Sequence, residues 1–180
     1  MDKTNIIEAT LKLARDKGWE KVSVRDIAKE INYSTIKIYS DFGSKESLLR
    51  EIQAEGFHLL KKNYEEAIAG EQDAGEQLLK LSLAHYHFAR QQQVYYDLMF
   101  QLNGTNCKLP DGEMLSNTSE PVRDLLKQLH GSLDKSLFYN WWVLAHGFVA
   151  ITATYPPGTL AEAEEMLQTM IRRFIHSIRQ

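Results

Sequence analysis

Cysteine is almost missing from this 180-residue chain: Cys107 stands alone, which excludes an internal disulfide framework and leaves no thiol cluster for structural zinc. No apolar run is long enough to span a bilayer, and the opening "MDKTNIIEAT" lacks the basic-then-apolar layout of a secretory leader. A cytoplasmic protein with no membrane partner is expected. The chain also lacks a glycine-rich phosphate loop, a nucleophile elbow, or a cysteine with a spaced histidine partner, so neither catalysis nor a cofactor is expected. His85 and His87, two residues apart, point to nearly opposite sides of a helix and share no face with other ligand types. No metal site is expected from them.

Excess charge of one sign is scarce as well. The formal net charge is −3, which by itself argues against a nucleic-acid partner. Its distribution says more: residues 1–50 carry ten Lys/Arg against eight Asp/Glu, and residues 51–180 carry eleven against sixteen. A basic N-terminal surface on an acidic body is therefore permitted.

Proline and glycine collect at a few junctions, and nearly every segment between them has helical spacing, so the fold class is all-α. Ile6, Ile7, Leu11, Leu13 and Ala14 form the apolar face of a first helix, stopped at "DKGW". Ser23 caps a second, in which Val24, Ile27, Ala28 and Ile31 share a face and Asp26 completes a capping box. Asn32 tolerates positive φ and ends it, and Ser34 can cap whatever follows. Ser44, after Gly43, starts a long helix that closes near "AIAGEQDAGEQ". Further helices follow at 76–92, in "VYYDLMF", from Pro121, in "SLFYNWWVLAHGFVAITATY" and at 160–178. Residues 101–118, rich in glycine and asparagine, read as one long loop.

The stretch "NYSTIKIYSDFGSKESLL", residues 32–49, is ambiguous alone: Thr35, Ile36 and Ile38 suit a short strand, whereas the flanks are helical. Its surroundings favour a helix-turn-helix, in which residues 35–41 are the recognition helix. At helical spacing Ile38 and Phe42 turn inward with Val24 and Ile27. Thr35, Ile36, Lys37, Tyr39 and Ser40 then face outward or to the flank.

The run "SVRDIAKEINYSTIKIYSDFGSKESLL" resembles the N-terminal domain of the TetR family of bacterial transcriptional regulators, over roughly residues 6–50. The matching elements are Gly18 with Trp19, Val24 to Ala28, Ser34, Tyr39, Phe42, and Ser44-Lys45-Glu46 with Leu48 and Leu49. The resemblance implies that Tyr39 meets a backbone phosphate of double-stranded DNA. Ser23, Arg25 and Lys45, each at the first turn of a helix, suit the same positioning role. Base reading falls to Thr35, Ile36 and Lys37, with Ser34 and Ser40 beside them. Many relatives carry glycine at the position of Ile36, threonine or alanine at Lys37, and histidine or tyrosine at Asp41. These departures leave two readings open: an unusual operator, or a TetR-like ligand-binding or co-activator protein that has lost sequence-specific DNA binding.

On this reading residues 1–50 are a DNA-binding domain and residues 51–180 a helical ligand-binding and dimerisation domain. "FARQQQVYYDLMF" followed by "WWVLAHGF" is similar to TetR-like C-terminal domains with a Trp-x-x-x-His-Gly motif, here Trp142, His146 and Gly147. The resemblance implies a small-molecule effector site in this region, where Tyr86, Tyr95, Tyr96, Met99, Phe100, Phe138, Trp141, Trp142 and His146 are the candidate lining; plain core packing fits the same residues. The wide apolar arc of the last helix points to a homodimer, with Phe148, Thr152, Met166, Met170, Phe174 and Ile178 as candidate contacts. Two heads on a two-fold axis would read a pseudo-palindromic operator, and an effector that favours misspaced heads would release a repressor.

Overall fold

The computed structural model describes residues 3–102, 112–132 and 135–179, and these form helices and connections with no strand. In chain order the helices are α1 (Lys3–Lys17), α2 (Val24–Glu30), α3 (Thr35–Phe42), α4 (Lys45–Ile68), α5 (Ala74–Gln91), α6 (Gln93–Met99), α7 (Gly112–Thr118), α8 (Glu120–His130), α9 (Lys135–Thr154) and α10 (Leu160–Ile178). A 3₁₀ turn, Trp19–Lys21, separates α1 from α2.

Local chemistry sets the ends. Ser23 Oγ accepts from the Asp26 amide at 3.2 Å while the Asp26 carboxylate accepts from the Ser23 amide at 3.1 Å, closing the expected capping box. Asn32 has φ 55°, and Gly43 ends α3 at φ 77°. The Ser47 amide donates to Ser44 Oγ at 3.0 Å at the head of α4. Ser34 holds the N-cap position of α3, yet its side chain accepts no hydrogen bond from the helix. A second capping box, Thr159 with Glu162, opens α10. The segment expected to be one loop ends in α7, where Met114 and Thr118 fall one turn apart; residues 103–111, Cys107 among them, lie outside the described residues.

The chain divides into two compact units, Met1–His58 with Gln92–Leu115, and Leu59–Gln91 with Ser116–Gln180. The first is larger than a residue 1–50 head because the head's core does not close without α4 and α6: Ile6, Trp19, Ile27, Ile38 and Phe42 pack in one cluster with Leu48, Ile52 and Leu98. Two polar bonds fix α6 there. Trp19 Nε1 donates to the Val94 carbonyl at 2.9 Å, and the buried Gln53 amide donates to the Leu98 carbonyl at 3.2 Å. Gly56 lets α4 and α6 approach closely, since a Cβ there would lie 2.7 Å from Met99 Sδ and 3.1 Å from Tyr95 Cδ1.

The second unit packs α5 against α8, α9 and α10 around Leu78, Leu81, Leu126, Trp141, Leu167 and Ile171, all buried. Trp141 Nε1 donates to the buried Ser82 Oγ at 2.9 Å, so the indole brings no unsatisfied donor into the core. His87 with Glu164, and Arg172 with Glu76, bridge α5 and α10 at its surface.

Candidate nucleic-acid interface

The turn between α2 and α3 is built from backbone bonds: the Asn32 amide donates to the Lys29 carbonyl and the Tyr33 amide to the Ala28 carbonyl, at 3.2 and 2.9 Å. The chain then re-enters a helix within two residues. α3 is too short to be stable alone, and it holds because Ile38 and Phe42 are buried in the head's core. Its other side stands free. Ile36 is 75% exposed and Tyr39 50%, Ser40 is exposed, and Thr35 and Lys37 are half-buried at the flank. The structure thus brings Thr35, Ile36 and Lys37, expected to read bases, onto one rod with Ser40 and with Tyr39, expected to meet a phosphate. Tyr33, 49% exposed in the turn, joins that surface; nothing in its sequence neighbourhood distinguishes it.

The charged residues are less free than the sequence suggests. Lys37 Nζ donates to both carboxylate oxygens of Asp41 at 2.6 Å. Lys45 Nζ donates to the Val22 carbonyl, next to Ser23. Ser23 Oγ bonds the Asp26 carboxylate, and hydrogen bonds from Ser23 and Lys17 hold that carboxyl down at about 2. Arg25 is exposed, with no ion pair among the described residues. Lys45→Ala is expected to weaken binding to all DNA sequences alike and to shrink the salt dependence by about 0.9 in log–log slope. Anisotropy titrations over a range of salt would show it; a loss confined to one sequence would contradict the positioning role.

The candidate effector residues fall into two groups. Tyr95, Tyr96, Met99 and Phe100 belong to the first unit, where Tyr96 and Met99 are buried and Tyr96 packs on Phe100 at 4.6 Å between ring centres. Tyr86, Phe138, Trp141, Trp142 and His146 belong to the second. There Trp142 stacks on His146 at 5.2 Å and 8°, and Phe138 stacks on Trp142 at 6.1 Å. Two residues outside the candidate set complete this cluster: fully buried His85 lies 5.9 Å from both Trp141 and Trp142, and its Nδ1 shares a 2.6 Å hydrogen bond with the Tyr64 hydroxyl. Spacing from His87 carries no signal for this role of His85, since His87 instead meets Glu164. Among the described residues no three His, Cys, Asp or Glu side chains converge to hold a metal.

Burial, with His146 nearby, pushes the His85 imidazole down to about 3. An unfolded chain takes up that proton near pH 6.5, so the folded state keeps its full stability above pH 6.5 and loses it as the pH falls from there toward 3, by up to about 1.4 kcal/mol per pH unit. The lowered carboxyls of Asp26 and Glu71, both about 2, act only below about pH 5. The thermal midpoint is therefore expected to drop between pH 7 and pH 5, and to drop less steeply in His85→Gln. Parallel pH profiles for the two proteins would contradict this.

The candidate dimer contacts also separate. Phe148, Thr152 and Ile178 are buried within the second unit, Phe174 is half-buried, and Met166 and Met170 are exposed at 52% and 37%. Thr152 Oγ1 donates back to the Phe148 carbonyl at 2.8 Å. The face that α9 leaves open lies elsewhere on the helix: Tyr139, Val143, Ile151 and Tyr155 are each at least 60% exposed, with Gly147 in the same i, i+4 series. A Cβ on Gly147 would meet nothing within 4 Å. On α10, Met166 and Met170 line an open groove of about 570 Å³ with Pro157, Glu162 and Glu165.

Residues 6–52 match the model of the bacterial regulatory proteins of the tetR family. No curated protein sequence matches the chain. Among solved structures, a TetR family transcription regulator from Marinobacter aquaeolei VT8 is similar over 96% of this chain and 94% of its own, at 16% identity and a TM-score of 0.73. The TetR family transcriptional regulator PfmR from Thermus thermophilus is 23% identical, with 97% and 99% covered and a TM-score of 0.65. A protein of unknown function from Rhodococcus sp. RHA1 reaches a TM-score of 0.78 at 17% identity, with 99% and 95% covered. Identities this low establish a shared fold for the whole chain, and the assignment rests on the head. By that match, over residues 6–52, the head that carries α3 as an exposed rod is similar to the bacterial regulatory proteins of the tetR family.

Proposed function

We propose that this DNA-binding transcriptional regulator acts in the cytoplasm as a homodimeric repressor, holding a pseudo-palindromic operator and releasing it when a small molecule occupies the body. The observation that carries the reading is α3 itself: Ile38 and Phe42 anchor it from behind while Ile36 and Tyr39 stand clear of the chain. A short helix held this way has the form needed to enter the major groove. No described helix is long and apolar enough to cross a membrane.

Pairing is supported by the open apolar series on α9 and the exposed methionines of α10, which together make a continuous reason for a second copy to associate. The stacked rings of Phe138, Trp142 and His146 favour an apolar or aromatic effector, whose effect on DNA affinity equals its differential affinity for the two states of the protein. Asp41, which alone would repel phosphate, is neutralised by Lys37, and this favours DNA over a purely protein-binding role for the head. A mobility shift on the DNA upstream of the protein's own gene is expected to give a specific complex at low salt. Its absence, together with capture of a stable protein partner by the head, would contradict the reading.

A further inference from the structure

We propose that Asp41 is a positioning residue for base reading: it holds the Lys37 ammonium so that α3 presents a charge-neutral hydrogen-bonding pair addressed to base edges and not to phosphates. The inference rests on the DNA-binding reading above and adds how one operator is told from other DNA.

The geometry of the pair is unlike the other i, i+4 ion pairs among the described residues. Lys61–Glu65 and Lys62–Glu66 stand at 3.9 and 3.7 Å with glutamates more than half exposed. Lys37 instead closes on both oxygens of Asp41 at 2.6 Å, with side-chain exposures of 36% and 16%. Helix stability is a poor reason for it, because a cation placed one turn before an anion opposes the helix dipole. The pair also sits beside Ile36, the most exposed large apolar side chain among the head's described residues.

What the pair can do follows from its protons and charge. An ammonium has three N–H groups; two are held by the carboxylate and one is left to point outward. The carboxylate keeps lone pairs that can accept from an amino group. A free lysine is a mobile point charge that trades between phosphates and any base acceptor, whereas this one is fixed and carries no net charge with its partner. Guanine offers N7 and O6 to the remaining N–H, and the amino groups of cytosine or adenine suit the carboxylate. Ile36 can meet a thymine methyl one step away. Because the pair forms before DNA arrives, less side-chain freedom is lost on binding.

The test begins with selection of a preferred duplex from a randomised pool by the wild-type protein. Dissociation constants are then measured for that duplex and for a scrambled one of the same composition, across a range of salt. Asp41→Asn should raise affinity for the scrambled duplex, steepen its salt slope by about 0.9, and lower the selected-to-scrambled ratio by about tenfold. Lys37→Met should lower the ratio by a similar factor while the uncovered Asp41 carboxylate weakens binding to both duplexes, and Lys37→Arg should restore part of the ratio. Should Asp41→Asn fail to fold, Lys37→Met decides alone: a slope reduced by about 0.9 with the ratio kept makes Lys37 a phosphate contact and overturns the proposal. An Asp41→Asn protein with wild-type slope and ratio overturns it equally. If the wild-type protein enriches no sequence, the DNA-binding reading itself fails, whereas enrichment followed by either of those results removes only the role given to Asp41.

Discussion

Val143→Glu is expected to turn the proposed dimer into a folded monomer and to abolish operator binding. Val143 is 67% exposed in the second unit, so the substitution touches no core packing and leaves the helices intact. It lies between Tyr139 and Gly147 in the apolar i, i+4 series of α9, and outside the adjoining helix backbone no described heavy atom stands within 4 Å of a Cβ on Gly147. Across a two-fold interface each substitution acts twice, and burying an unpaired carboxylate costs on the order of 3 kcal/mol or more per site. Association should therefore weaken by well over 100-fold, with the thermal midpoint of the monomer near that of the parent at low concentration. Sedimentation at micromolar protein gives the mass and a mobility shift gives the binding. A Val143→Glu protein that remains dimeric would place the interface elsewhere.

Ile38→Ala is expected to cost about 2–4 kcal/mol of head stability and to remove DNA binding at temperatures where wild type still binds. Ile38 is 1% exposed and shares a core with Ile27, Phe42, Leu48 and Ile52. Eight residues cannot hold a helix without that support. The neighbouring Ile36 gives the contrast. It is 75% exposed, so Ile36→Ala should leave stability within about 0.5 kcal/mol of wild type while altering affinity for the selected sequence. Denaturant unfolding and DNA titration on the two variants separate anchor from reader. Equal destabilisation by both would mean that α3 does not present the face described.

How far this was legible beforehand depended on the range of the interaction. The Ser23–Asp26 box, the left-handed Asn32 and the Ser44 cap are encoded within four residues, and the structure has each where the sequence puts it. The inward turn of Ile38 and Phe42 followed from 3.6-residue spacing once the flanks were helical. Interactions set by folding were harder to read. Asp41 looks like a charge facing phosphate until its distance to Lys37 is known. On α9, apolar on most sides, periodicity does not say which flank is buried: Phe148 and Thr152 fill the unit's own core, and Val143, Ile151 and Tyr155 are left outside. Tyr64 gave no signal as a partner of His85, since 21 residues separate them.

Entry of α3 into the major groove is reported directly by methylation protection of guanine N7. Wild-type protein on its selected duplex should protect N7 in two half-sites separated by about 34–36 Å along the helix axis or a multiple of it, with protection lost in Ile38→Ala. A retarded complex that leaves every N7 open to methylation would contradict it.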